Sequence, residues 1–480
     1  MCQNQTVGAV AAIQNHSPGD FHGDLNYGEV FIRDNVPVMV YLMIKGKTKV
    51  VRHFLDISFS LQSTKTPTVG IFPTSFTERD GLVMADYGQR AIGRVASVDA
   101  SLWIPILAHL YVQKTGDTEW AAQSKIQVGL TQLLTLLLRP RFHHAPTLYV
   151  PDAAFMIDRP LDVWGAPLEI QTLLYGALLC CAKLLKIGLA HKGIVNPPVD
   201  GNLPRHQIPR DPFTAQQVKH YVGAIACAKD LRRYLLRHYW VNSKSIQVLR
   251  QRPNEEYGDR AVNEYNIRTE TIPHWLQDWL GTRGGYLLGN IRTGKPDFRF
   301  FTLGNCLGAL FDVLSYSQQE ALFYLIAQNQ KDLVAQMPLT HLPIRPWNDE
   351  DWRRDTGYDP KNRPWSYHNG GHWPCLLWFL CVAVLRLPQV YTGVNSEFQE
   401  VTRELLESSY KLLLQQLPAQ RWAEYFDGPT GLWTGQQTRY YQTWTIVGFL
   451  LVHHLLDVDP RAARILDVPS LKELCRPDSV

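Results

Sequence analysis

Residues 363–385 read Arg-Pro-Trp-Ser-Tyr-His-Asn-Gly-Gly-His-Trp-Pro-Cys-Leu-Leu-Trp-Phe-Leu-Cys-Val-Ala-Val-Leu, and the two halves obey different rules. The first, 363–374, contains Pro364, Pro374 and the pair Gly370-Gly371, which exclude both regular helix and ordinary strand. Backbone polar groups are hard to satisfy in a buried loop, so a loop this rich in aromatics and histidines is best explained as one wall of a site. The second half is apolar throughout and places Leu377, Cys381 and Val384 at helical spacing. A polar, aromatic loop runs straight into a core helix.

The same alternation extends in both directions. Residues 37–62 read as helix. Trp103, Leu107, Leu110 and Val112 predict another, in which Pro105 implies a kink or a late start. Ile126, Leu130, Leu133 and Leu137 mark one buried face, and Ile170, Leu174, Ala177, Cys181 and Leu184 form the most regular helix of the chain. Later helices carry Val218, Val222 and Ile225, then Leu307, Phe311 and Leu314, then Leu406, Tyr410, Leu413 and Leu417, and finally Trp444, Val447, Leu451 and Leu455. Loops are expected at 63–90, 139–167, 281–300, 338–374 and 421–428. Two-residue alternation is scarce, which points to an all-α chain. Consecutive helices joined in this way form a bundle, a solenoid or a closed ring of hairpins. Only the ring gathers many long loops around one pocket, and the loop chemistry favours it. The proline-rich stretch 196–212 does not divide the chain, because the helical theme returns after it. A single catalytic domain is therefore expected over 25–460, between a flexible N-terminal tail (1–24) and a C-terminal tail (461–480).

Composition narrows the function. Against 48 basic residues stand 44 acidic ones, a net charge of +4, with no block of like charge, so nucleic acid is not the expected partner. The N-terminus lacks the basic segment of a signal peptide. The longest apolar stretch, near Trp373–Leu385, falls short of the roughly 20 residues a bilayer requires. No membrane association is expected. The eight cysteines include no Cys-x-x-Cys pair, and several lie in apolar helices as reduced thiols do, which suggests a cytoplasmic setting.

The loops share a signature in which carboxylates sit beside tryptophan, tyrosine or phenylalanine. Aromatic faces stack on sugar C–H faces, while carboxylates, amides and arginines bond hydroxyls. Cleaving a glycosidic bond needs one protonated carboxyl to donate to the leaving oxygen and one carboxylate to activate water or attack the anomeric carbon. Asp158, after Phe155-Met156-Ile157, and Glu424, between Trp422 and Tyr425, are placed for this work. Spacing alone does not separate them from Asp34, Asp99, Asp162, Glu169, Asp297 or Asp427. His368 and His372 are four apart, but the glycines between them prevent a helical metal-binding face, so no metal is expected. The glycines at 281, 284, 285 and 289 match neither dinucleotide nor phosphate-loop patterns, and no cofactor is implied.

Eight ordered motifs give the chain a resemblance to the neutral/alkaline invertases, glycoside hydrolase family 100. They are Leu-Asn-Tyr-x-x-Val-Phe-Ile-Arg-Asp (25–34), Ala-Ile-Gly-Arg-Val-Ala-x-Val-Asp (91–99), Met-Ile-Asp-Arg (156–159), Pro-Leu-Glu-Ile-Gln (167–171), Asp-Phe-Arg (297–299) with Leu-Gly-Asn (303–305), Asp-Pro-Lys-Asn-Arg-Pro-Trp-Ser-Tyr-His-Asn-Gly-Gly (359–371), Trp-Ala-Glu-Tyr-Phe-Asp-Gly (422–428) and Tyr-Gln-Thr-Trp (441–444). The resemblance implies an (α/α)6 barrel with the active-site pocket formed by loops at one end. It also implies metal-free, inverting hydrolysis of sucrose to glucose and fructose at glucose C1. By motif, Asp158 takes the place of the general acid and Glu424 that of the water-activating base. Arg33, Asp34, Asp99, Glu169, Gln171, Trp365, His368, Asn369, Arg439 and Gln442 are expected to contact the sugar. A cytoplasmic homo-oligomer fits the same family. The chain departs from the pattern at Asp86-Tyr87-Gly88-Gln89-Arg90, at Pro105, and at Ala423 before Glu424. Alternatives are a helical-barrel glycosidase or phosphorylase acting on another α-glucoside, or a catalytically silent sugar-binding protein.

Overall fold

The computed structural model describes residues 5–12, 27–66, 68–90, 96–139, 145–151, 154–156, 163–198, 208–251, 269–292, 295–334, 337, 352–355, 360–387 and 396–475. Its principal helices are α1 (Asn35–Ile44), α2 (Thr48–Ser60), α3 (Val98–Thr115), α4 (Ser124–Leu137), α5 (Leu168–Ala190), α6 (Pro212–His238), α7 (Thr302–Leu310), α8 (Tyr316–Gln328), α9 (Leu377–Leu385), α10 (Ser396–Ala419) and α11 (Thr443–His453). Each odd-numbered helix packs against the next odd-numbered one, and α11 returns to α1. The ring closes, with the even-numbered helices outside it, as an (α/α)6 barrel.

Sequence explains which helices go inside. A helix with neighbours on all sides must be apolar all round, whereas an outer helix needs only one stripe. All nine residues of α7 and all nine of α9 are buried. In α4 the buried face is Ile126, Leu130, Leu133, Leu134 and Leu137, with Lys125 and Thr135 outside it. At 23 residues, α5 is the one described helix long and apolar enough to cross a membrane, a longer apolar run than Trp373–Leu385. Since 78% of its most apolar window is buried, the ring accounts for its composition.

Several expectations change. The helix expected over 37–62 is two helices, broken at Gly46, whose φ of +71° is left-handed. Pro105 lies inside α3, which starts at Val98 and runs on to Thr115, so there is no late start. Two expected loops contain antiparallel hairpins. β1 (Val30–Phe31) pairs with β2 (Ser75–Arg79), and β2 pairs with β3 (Leu82–Asp86). Asp80-Gly81, both at positive φ, make the two-residue turn that matches strand twist. β4 (Trp240–Asn242) pairs with β5 (Gly285–Arg292), and β5 with β6 (Lys295–Phe300). A small ribbon, β7 (Phe426–Asp427) with β8 (Trp433–Thr434), follows Glu424.

Neither tail is wholly free. Val7, Ala11 and Ala12 are buried. The Asn35 side chain bonds both the amide and the carbonyl of Ala9, at 2.8 and 2.9 Å, while the Thr443 amide donates to the Ala11 carbonyl. Residues 7–12 thus seal the seam between α1 and α11. At the other end Ala463, Leu466 and Leu474 are buried, and the ion pairs Arg386–Asp467 (2.7 Å) and Lys183–Glu473 (2.8 Å) fasten the segment. Long-range packing of short apolar pieces, invisible to local periodicity, recruits both segments.

Long connections precede the inner helices: 61–97 before α3, 138–167 before α5, 239–301 before α7, 329–376 before α9 and 420–442 before α11. The start of the inner helices is therefore the end where a site can be built.

Candidate active site

The chain delivers three carboxylates and an amide to the starts of inner helices, where the positive end of the helix dipole favours the negative charges. Asp34 is the N-cap residue of α1, Asp99 the second residue of α3, Glu169 the second residue of α5, and Gln442 the N-cap residue of α11. All four are buried.

Arg33 and Asp99 form a 2.9 Å ion pair, with side chains 14% and 2% exposed. The other Asp99 oxygen accepts from Ser97 Oγ and from the Ala100 amide. Arg33, expected to contact the sugar, is thus ion-paired with the buried Asp99, and Asp34 is its neighbour in the chain. Glu169 is fully buried. Its Oε1 accepts from the Met156 amide at 3.1 Å, while Oε2 has no hydrogen-bond partner among the described residues. Burial first, then the Asp99 charge, push its carboxyl up to about 8, against the opposing pull of the Met156 amide and Arg33.

The sign of that shift makes a prediction. A carboxyl held above its unfolded value contributes stability that is fully present below about 4.5 and is lost as pH rises through about 8. Glu169→Gln removes this titration, so the variant's melting temperature should fall less than the parent's between pH 5 and pH 9. Parallel curves for parent and variant would refute the neutral carboxyl.

Glu424 arrives from the loop before β7. Its amide donates to the Arg439 carbonyl at 2.9 Å, and its Oε1 accepts from Tyr27 Oη at 3.4 Å. Its Oε2 lies 3.8 Å from Lys361 Nζ and has no hydrogen-bond partner among the described residues. The Arg439 guanidinium lies over the Tyr27 ring. Asp34, Glu424 and Arg33 all act electrostatically on the buried Cys375 thiol, which burial pushes well up. Carboxylates from opposite ends of the sequence therefore converge at the start of α9.

The stretch 363–374 is stitched to the Glu424 loop. His372 and Phe426 exchange backbone hydrogen bonds at 2.8 and 2.9 Å, and the Gly428 amide donates to the Trp365 carbonyl. Trp373 stacks on Tyr425 and His368 and meets Trp444 edge-on. Trp365, Tyr367, Arg421, Trp422 and Tyr441 all have φ between +44° and +60°. Left-handed backbone at such bulky residues costs about 1–3 kcal/mol each and persists only where the surroundings dictate it.

Among the expected sugar contacts, Gln442 is buried with its Oε1 unpartnered among the described residues. Trp365 is half-buried. Gln171 is committed elsewhere: its amide bonds the Leu148 amide and carbonyl and the Pro167 carbonyl. These bonds tie it to the loop before α5. Asn369 donates to the Asn362 carbonyl and braces its own turn. His372 bonds the Met337 and Pro429 carbonyls, and burial pushes its imidazole down to about 4. The His368 ring instead stacks on Trp373, and no cluster of metal ligands occurs among the described residues. Asp427 pairs with Arg363 at 3.0 Å and Asp297 with Arg299 at 3.1 Å. Asp158 and Asp162 lie outside the described residues.

Sequence reasoning misses Lys361 and Tyr27 as partners of Glu424. Lys361 stands inside the 359–371 motif, but nothing local marks a lysine as buried.

Carboxylates, an arginine and an aromatic wall at the loop end of an (α/α)6 barrel make a site suited to glycoside chemistry. The chain belongs to the alkaline and neutral invertase family, whose model matches residues 1–459. It is 36% identical to neutral/alkaline invertase 1, mitochondrial, of Oryza sativa subsp. japonica, over 96% of this chain and 69% of that one. It is 35% identical to alkaline/neutral invertase E, chloroplastic, of Arabidopsis thaliana (96% and 70%), and 34% identical to cytosolic invertase 1 of Oryza sativa subsp. japonica (95% and 76%). A solved structure of a mannosylglycerate hydrolase from Thermus thermophilus, in complex with Tris, aligns over 93% of this chain and 95% of that one, with 13% identity and a TM-score of 0.43.

Proposed function

We propose that this protein hydrolyses sucrose to glucose and fructose with inversion at the glucose anomeric carbon. Glu424 serves as the base that takes a proton from water, and Asp158 as the acid that protonates the departing fructosyl oxygen. The observation that carries this reading is Glu424 itself, a carboxylate 2% exposed whose Oε2 has no hydrogen-bond partner among the described residues. A free lone pair on a buried, charge-compensated carboxylate is what a general base requires. Asp34, the Arg33–Asp99 pair, Glu169 and Gln442 line the same end of the ring and supply hydroxyl partners. Trp365 and the strained 365–367 backbone supply an apolar wall for the sugar.

The reading extends to a homo-oligomer resident in the cytoplasm. Five buried reduced cysteines support a reducing compartment.

Incubating purified protein with sucrose, with and without inorganic phosphate, tests the reaction class. Equal glucose and fructose in both reactions supports hydrolysis. Glucose 1-phosphate appearing only with phosphate would make it a phosphorylase, and sucrose bound but uncleaved would leave a binding protein.

A further inference from the structure

We propose that Lys361 is the positioning residue for Glu424, a buried cation that aims the carboxylate by attraction without hydrogen-bonding the oxygen that meets water. This rests on the reading of Glu424 as the base. Lys361 sits in the 3-10 turn Pro360–Asn362 with its side chain only 3% exposed. A lysine so deeply buried is costly unless its charge is compensated. Two kinds of partner compensate it. Its Nζ lies 3.7 Å from the Tyr367 ring centroid and 5.2 Å from that of Tyr425, within cation–π range of both. The Glu424 carboxylate stands 3.8 Å away on a third side.

That distance is the telling feature. At 3.8 Å the two charges attract strongly in a buried setting, yet the separation exceeds a hydrogen bond. Two other buried carboxylates are met directly by cations: Asp99 by Arg33 at 2.9 Å and Asp427 by Arg363 at 3.0 Å. In each of these, one carboxylate oxygen is bonded at hydrogen-bond distance by a guanidinium. Lys361 supplies charge beside Glu424 and leaves Oε2 without a hydrogen bond among the described residues, while Tyr27 donates to Oε1 at 3.4 Å. The cage that fixes the lysine is built from Tyr367, in the aromatic stretch, and Tyr425, the residue after Glu424. One buried ammonium thereby locks the pocket wall and the base into a single unit.

The test compares Lys361→Met, Lys361→Arg and Glu424→Gln for kcat and KM on sucrose, with thermal unfolding beside each. Methionine keeps the length and apolar stem but removes the charge. Its kcat should fall by about 100-fold or more, with KM within about threefold of the parent, because the lysine acts through the base and not on the sugar. Arginine should recover at least about tenfold of that loss. Parent-like kcat in Lys361→Met would overturn the proposal, as would a loss confined to KM. Equal losses in the methionine and arginine variants would do the same, since charge would then be irrelevant, and this comparison stands even if the methionine variant folds poorly. Should Glu424→Gln itself turn over normally, the base assignment fails. An inactive Glu424→Gln beside a normal Lys361→Met removes only the lysine's role.

Discussion

Glu424→Gln should lower sucrose turnover by roughly 10³-fold or more while the protein remains folded, which is the effect expected on removing a general base. The amide has the volume of the carboxylate, and its oxygen still accepts from Tyr27, so packing is preserved. What is lost is the proton-accepting lone pair on Oε2 and the negative charge facing Lys361. Breaking a buried pair by neutralising one member leaves the other uncompensated, so some stability is lost as well. The two effects separate experimentally: the melting temperature reports the lysine's lost partner, and kcat below that temperature reports the chemistry. A variant with near-parent kcat would show that the base is another group. Azide, a small anionic nucleophile that needs no deprotonation, should partly restore turnover in the smaller variant Glu424→Ala, which a merely structural role would not predict.

The largest stability effect is expected at Trp373. Its indole is 1% exposed, donates to the Tyr367 carbonyl at 3.1 Å, and stands 5.1–5.5 Å from the rings of Tyr367, His368, Tyr425 and Trp444. Truncating a buried tryptophan to alanine costs about 3–5 kcal/mol through lost burial and the cavity left behind. Here the cavity would open between the 363–374 stretch, the Glu424 loop and the start of α11, so activity should fall together with stability. Denaturant unfolding of Trp373→Ala measures the cost. A loss below about 1 kcal/mol would mean that the three segments are held by their backbone bonds instead.

What is legible in the sequence follows the range of the forces involved. The inner helices announce themselves because an all-round apolar helix has few other places to go: α5 and α7 read as helices from their apolar spacing, and α9 reads as a core helix. The motif that holds Glu424 is equally plain. The β2–β3 hairpin escapes a sequence reading although Asp80-Gly81 is a strong turn signal, because β3 is largely solvent-facing and lacks a clean apolar face. Residues 7–12 and 461–475 read as tails because their few apolar side chains make no local pattern; they are ordered by seams formed far along the chain. Gln171 reads as a sugar ligand by its motif, and among the described residues its side chain bonds loop backbone, a pairing no local pattern shows. Lys361 is not recognisable from its neighbours, since the rings that cage it come from residues 367 and 425 and the carboxylate beside it from residue 424. Its burial is a tertiary property.

In an inverting hydrolysis, water attacks glucose C1 from the face opposite the departing fructosyl group. Following a fresh sucrose digest by proton NMR, before mutarotation scrambles the anomers, tests it most directly. With inversion, β-glucose appears first and then decays toward the equilibrium mixture. Initial release of α-glucose would contradict it, requiring either a covalent glucosyl intermediate or attack at the fructosyl carbon.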